Sequence, residues 1–221
     1  MDRPDTPTES ARVATLPVHR RRAASAAGAV LFLAGGLALL GIITAEVLYP
    51  GYTTLQEISD LGATRPPNSV VHQPSATVFD ATMLACGALV LVATAFVHRA
   101  YGRRDLTVPL GLFGLGVLGV GVFPGNRAPW HGLFALLTFV AGGVSVLLSA
   151  RVVTAPFRYL CVAFGAMSLA ALASALLLGE SNPLLFLGLG GVERWVVYPI
   201  LLWLTGFGGY LLGDASRPAG R

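Results

Sequence analysis

Apolar residues fall along this chain in six long runs separated by polar or Pro/Gly-containing connections, and that alternation sets the architecture before any single residue is weighed. The runs are Ala23 to Leu48, Ala76 to Val97, Leu106 to Phe123, Gly132 to Ala150, Tyr159 to Leu178 and Trp195 to Leu212. Each is close to or longer than the roughly 20 helical residues that cross a hydrocarbon core of about 30 Å. The expected fold is all-α and polytopic. It has six transmembrane helices at about 23-48, 76-97, 106-123, 131-150, 159-178 and 193-212, forming one membrane domain over 23-212. Residues 1-22 are polar and rich in Pro, Thr and Arg, which predicts a disordered tail. Residues 213-221 form a second tail. The first run exceeds the core of about 7 to 15 residues found in a signal peptide, so it is read as a span.

Composition places the chain in lipid: 54% of its 221 residues are hydrophobic and 12% charged, against about 25% charged in soluble domains. Every one of the 15 basic residues is arginine. They flank the spans and form no single stripe, which argues against a nucleic-acid partner. With the N-terminus inside, twelve arginines fall on the inner side: five in the first tail, then Arg99, Arg103, Arg104, Arg151, Arg158, Arg217 and Arg221. Only Arg65, Arg127 and Arg194 fall outside. The positive-inside rule therefore predicts both termini in the cytoplasm of a multi-pass cell-membrane protein. Cys86 and Cys161 lie within spans and read as small packing residues, with no disulfide or metal framework.

In lipid, helices associate through small residues and interhelical hydrogen bonds, so small or polar stripes mark packed faces. Such stripes are Ala34, Ala38, Gly41 and Ala45 on the first span and Ala163, Ala166, Ala170 and Ser174 on the fifth. On the fourth, Thr138, Gly142, Ser145 and Ser149 lie within about 40° of one another, and His131 falls on the same line. Asp80 aligns with Gly87 and Thr94. Arg194 aligns with Tyr198, Thr205 and Gly209, whereas Glu193 lies about 100° away over an apolar face. In the 27-residue connection Tyr49 to Ser75, Thr54 and Glu57 have capping-box spacing and Leu55, Ile58 and Leu61 recur every three residues, which predicts a short helix over the outer mouth. The apolar segment Leu184 to Leu189 is too short to span and is expected to dip into the interface.

Asp80, His131 and Arg194 each begin an inward-running span at the outer boundary, which predicts that they converge. Three helix N-termini together favour an anion or an acidic side chain. Two arrangements follow: Asp80 pairs with Arg194, or Arg127, His131 and Arg194, with Tyr198 nearby, hold a lipid phosphate or carboxylate. Glu46, Ser59, Asp60 and Glu193 are secondary candidates. No HxxxH or HExxH pairing occurs, so no metal is expected, and no cofactor motif is present. The first functional expectation is binding of an outer-leaflet lipid or other anionic ligand. An intramembrane lipid-headgroup hydrolase or transferase using His131 is an alternative that lacks a nucleophile signature. A small transporter, or a structural or assembly protein, is a further alternative. Expected partners are membrane lipids, a second copy, or another membrane protein.

Three short motifs carry a family resemblance. They are Glu57-Ile-Ser-Asp-Leu-Gly62, Phe123-Pro with His131-Gly, and Gly191-Val-Glu-Arg-Trp-Val-Val-Tyr-Pro199. In this order they resemble the domain of unknown function 998 family of integral membrane proteins, over roughly Ala29 to Leu212. A more distant similarity is to the Frag1 and DRAM group of multi-span proteins, some linked to lipid or GPI-anchor handling. The resemblance implies a six-span helical protein and no established activity. It draws attention to Ser59, Asp60, His131, Glu193 and Arg194.

Overall fold

The computed structural model describes residues Leu16 to Ser216 and contains six α-helices. These are α1 (Val18–Leu48), α2 (Ser75–Tyr101), α3 (Arg104–Val122), α4 (Trp130–Ser149), α5 (Phe157–Leu178) and α6 (Gly188–Ala215). All six are long and apolar enough to cross a membrane, and the described residues contain no strand. The helices form a ring in chain order, each packed on the next, with α6 closing on α1. Neighbours run antiparallel, as the pairs Ser75 with Ala45 and Cys86 with Ala34 show for α1 and α2, and Ser168 with Val196 and Phe157 with Gly206 for α5 and α6. The end near Val18 and Ala215 is termed proximal here and the opposite end distal. Arg20, Arg21, Arg22, Arg99, Arg103, Arg104, Arg151 and Arg158 gather at the proximal end, and Arg65, Arg127 and Arg194 at the distal end.

Apolar surface gains nothing by leaving lipid tails for a neighbouring helix, so the ring depends on close backbone approach and hydrogen bonds between helices. At the α1/α6 crossing, a Cβ on Gly28 would lie 2.8 Å from the Gly208 carbonyl oxygen. On α3, a Cβ on Gly116 would lie 2.7 Å from the Thr138 amide of α4. Polar side chains add specific ties: Trp203 Nε1 donates to Ser149 Oγ at 2.8 Å, and Ser168 Oγ donates to the Val196 carbonyl at 2.8 Å. Trp203, Phe207, Leu31, Leu110 and Leu204 fill the interior.

Several expected boundaries move. Helix α1 begins five residues before the expected span, so Val18 to Arg22 are helical and not tail. Arg21 Nη2 donates to the Ala215 carbonyl at 2.7 Å, placing a cation on the C-terminus of α6. Helix α6 begins at Gly188 and runs to Ala215, absorbing part of the second expected tail. The disorder expected for residues 1–15, and the tail at 217–221, lie outside the described residues. Small-residue stripes mark buried faces on α1 and α4, where Ala34, Ala38, Gly41, Ala45, Gly142, Ser145 and Ser149 are all buried. On α5 the expectation fails. Ala163, Ala166 and Ala170 are exposed, and the buried face carries Cys161, Gly165, Ser168 and Leu172. Gly165 admits Leu147 and Ser168 supplies a hydrogen bond, whereas alanine is equally at ease against lipid.

These contacts set a paired expectation. Gly208→Val should lower the midpoint of thermal unfolding in detergent, through overpacking of roughly 1–3 kcal/mol or more against the α1 backbone. Gly36→Ala, where an added Cβ meets nothing within 4 Å, should leave it unchanged or raise it slightly through helix propensity.

Candidate functional site

The distal end is roofed by the connection between α1 and α2. The helix expected there shortens to one 3₁₀ turn, Ile58–Leu61. Its capping pair also shifts by one residue: Gln56 Oε1 accepts from the Thr53 amide at 2.9 Å, while Glu57 is drawn instead to Arg65 at 2.7 Å. Ile58, Leu61 and Ala63 are buried beneath the roof, and Leu55 stays outside. Two close approaches require glycine. Gly190 donates its amide to the Leu55 carbonyl at 2.9 Å, and Gly188 sits at φ +72° where a Cβ would lie 2.9 Å from that same oxygen. At the other side Gly125, in the α3–α4 turn, abuts the Ala63 carbonyl. The roof thus crosses the bundle from the start of α6 to the α3–α4 turn.

Adjacent side chains of α6 hold it. Glu193 turns toward the amides of Ile58 and Ser59, the first donors of the 3₁₀ turn, and accepts a short hydrogen bond from Ile58. Arg194 takes the carbonyls that precede that turn. Its Nη1 donates to Thr54, Gln56 and Gly190 at 3.0 Å each, and its Nη2 donates to Glu46 Oε1 at 2.5 Å and Tyr52 Oη at 2.9 Å. Tyr52 in turn donates to the Glu57 carbonyl at 3.0 Å. Burial pushes the Tyr52 phenol up to about 12, with Arg194 opposing the rise, so it remains a neutral donor. With its guanidinium this fully engaged, Arg194 is a strut of the roof.

Beneath and beside the roof lies a chamber of about 680 Å³ between α4, α5 and α6. Glu57, Ser59, Arg65, His131 and Glu193 form its polar wall; Leu136, Phe139, Leu172, Leu176 and Leu189 form its apolar wall. Leu136, Leu176 and Leu189 are exposed, so the mouth is rimmed by apolar side chains. Ser59, His131 and Glu193 also bound a narrower apolar cavity of about 70 Å³, which runs into the centre of the bundle past Cys86 and Phe113 to Leu204. His131 is 5% exposed. Its Nδ1 lies 2.8 Å from the Phe123 carbonyl. A carbonyl only accepts, so Nδ1 holds the proton, and in the neutral ring Nε2 presents a lone pair. No hydrogen bond to Nε2 occurs among the described residues.

The expected convergence of Asp80, His131 and Arg194 is not realised. His131, Ser59 and Glu193 come together, with Asp60 close enough to act on the histidine electrostatically. Arg194 pairs with Glu46 and not with Asp80. Asp80 lies apart, where a Cβ on Gly62 would come 2.6 Å from its Oδ1, and that oxygen has no hydrogen-bond partner among the described residues. Arg127 is exposed and off the chamber wall. Tyr198 lines a separate outer groove of about 230 Å³ with Arg194, Trp195 and Phe164. The line from Arg194 through Tyr198 to Thr205 and Gly209 faces α1, since Thr205 meets Gly35 and Gly209 meets Phe32. The Glu193 face, which looked merely apolar, is the one directed at the centre. Its signal was the run Glu193, Val197, Ile200 and Leu204 at helical spacing, all lining the inner cavity.

The fold defines a multi-pass, all-helical membrane protein, and its distal end carries a roofed chamber with a polar wall. The chain belongs to the family described as Protein of unknown function (DUF998), whose model matches residues 32–210. No curated protein and no solved structure matches it.

Arg194→Ala would strand Glu46 and withdraw a donor from the carbonyls of Thr54, Gln56 and Gly190. Removing one partner of a largely buried ion pair costs about 3–5 kcal/mol, so amide hydrogen exchange at Ile58 to Gly62 should accelerate on the order of 100-fold if the clasp holds the roof. The same change at Arg127 should leave those amides alone. Burial raises the carboxyls of Glu57 and Asp60 above their ordinary values, each opposed in part by Arg65. The docked roof then binds more protons than the open one, and its stability falls as pH climbs through and above the ordinary carboxylate range. Exchange corrected for intrinsic rate should therefore report a larger opening free energy at pH 5 than at pH 7.5.

Proposed function

We propose that this protein binds a single lipid of the outer leaflet, taken in sideways from the bilayer, with its head in the distal chamber and its chains along α4 and α5. The carrying observation is the chamber's two-sided wall: polar groups at the roof end and exposed leucines around the mouth. A volume of about 680 Å³ lies in the range of roughly 300–1,000 Å³ common to small-molecule sites. Since chains exchange one apolar environment for another at little gain, selectivity falls to the polar wall. The excess of arginine at the proximal end supports a cytoplasmic position for both termini and an outer-leaflet position for the chamber. The site moves from the arginine-centred cluster to His131, Ser59 and Glu193, because Arg194 is spent on the roof.

One observation favours a second reading, acid–base chemistry on the lipid head: His131 lines the same chamber with its tautomer fixed by Phe123 and its Nε2 without a hydrogen bond among the described residues. Labelled lipid converted by wild type and not by His131→Gln would favour it. For binding, the test is native mass spectrometry after gentle detergent extraction. Ala175→Trp, which fills the chamber from α5, should reduce the co-purifying lipid about tenfold or more without lowering thermal stability. Equal lipid in both proteins would count against the site.

A further inference from the structure

The polar wall has a consistent hydrogen-bonding sense. Glu193 has given its carboxyl oxygens to two backbone amides and makes no ion pair among the described residues, because the guanidinium of the neighbouring Arg194 is bound to Glu46. His131, 5% exposed, lines the chamber, and its Nε2, without a hydrogen bond among the described residues, only accepts while the ring is neutral. Ser59 adds a hydroxyl that accepts as readily as it donates, and Glu57 adds a carboxylate whose Oε1 is held by Arg65. The one guanidinium on this wall, Arg65, is 65% exposed and stands at the rim. A ligand that accepted hydrogen bonds or brought negative charge deep into this wall would meet lone pairs and carboxylates. One that donates several N–H bonds and carries positive charge would satisfy them, and a carboxylate held only by backbone amides gains most from such a partner.

We infer that the head of the bound lipid ends in a protonated primary amine, seated against Glu193, His131 Nε2 and Ser59, with its phosphate outward at Arg65. This rests on the lipid-binding reading and narrows it to one headgroup chemistry. An alkylammonium supplies three donors to three acceptors. Choline carries the same charge but has no N–H, and a glycerol head donates through hydroxyls without the charge. The three heads therefore separate charge from donor capacity.

Purified protein, stripped of endogenous lipid, is to be titrated with phosphatidylethanolamine, phosphatidylcholine and phosphatidylglycerol of matched acyl chains, and the bound fraction read by native mass spectrometry. Phosphatidylethanolamine should bind at least about tenfold more tightly than either of the others, a difference of about 1.4 kcal/mol. Glu193→Gln, which keeps an oxygen for the roof amides, should erase most of that preference. Ser59→Ala, a smaller change on the roof, should reduce it less. Equal affinity for the three lipids, or an unchanged preference in both variants, would overturn the amine assignment and leave lipid binding standing. Failure to bind any of the three would overturn both.

Discussion

The distal half of this protein depends on two neighbouring side chains reading the two ends of the peptide group. Glu193 accepts from amides of the roof and Arg194 donates to its carbonyls, so a 26-residue connection without regular sheet or long helix is fixed at both polarities from one turn of α6. Such a segment cannot lie at the edge of a bilayer with its backbone groups unmet. The engagement of Arg194 with Glu46 extends the same tie to α1, closing the ring where α6 returns to the first helix. Roof and ring are thus one mechanical unit at this end.

That arrangement has a chemical consequence. Spending Arg194 on backbone oxygens and Glu46 leaves the chamber wall rich in acceptors, and the buried histidine that lines it has an Nε2 without a hydrogen bond among the described residues. The polar residues nearest the ligand space are therefore supported by contacts outside it: His131 by the Phe123 carbonyl, Glu193 by the roof amides, Glu57 by Arg65. Supported side chains lose little freedom on binding, which lets a small wall discriminate between heads.

Much of this was legible in the chain. Six apolar runs define six helices, and the histidine of α4 faces inward as its alignment with Thr138, Gly142 and Ser145 requires. The misreadings share one cause. Small residues mark where backbones approach, and on α6 they mark the contact with α1, while the wider faces toward the centre are filled by Val197, Ile200 and Leu204. Glu193 sits on such a face, so an apolar background concealed it, although the motif around it pointed there. The pairing of Arg194 with Glu46 joins positions 148 residues apart, and no local periodicity encodes a choice between Glu46 and Asp80. The alanine line of α5 fails for a further reason, since a helix that borders both lipid and chamber has no need to hide alanine.

The most direct measurement is an experimental structure of the protein in nanodiscs of native membrane lipid. Elongated density entering between Leu136 and Leu176, its head within hydrogen-bond distance of His131 Nε2 and Glu193 beneath a docked roof, is the expected result. A chamber closed by direct packing of α4 on α6, or holding only water while lipid stays outside the leucine rim, would contradict the account.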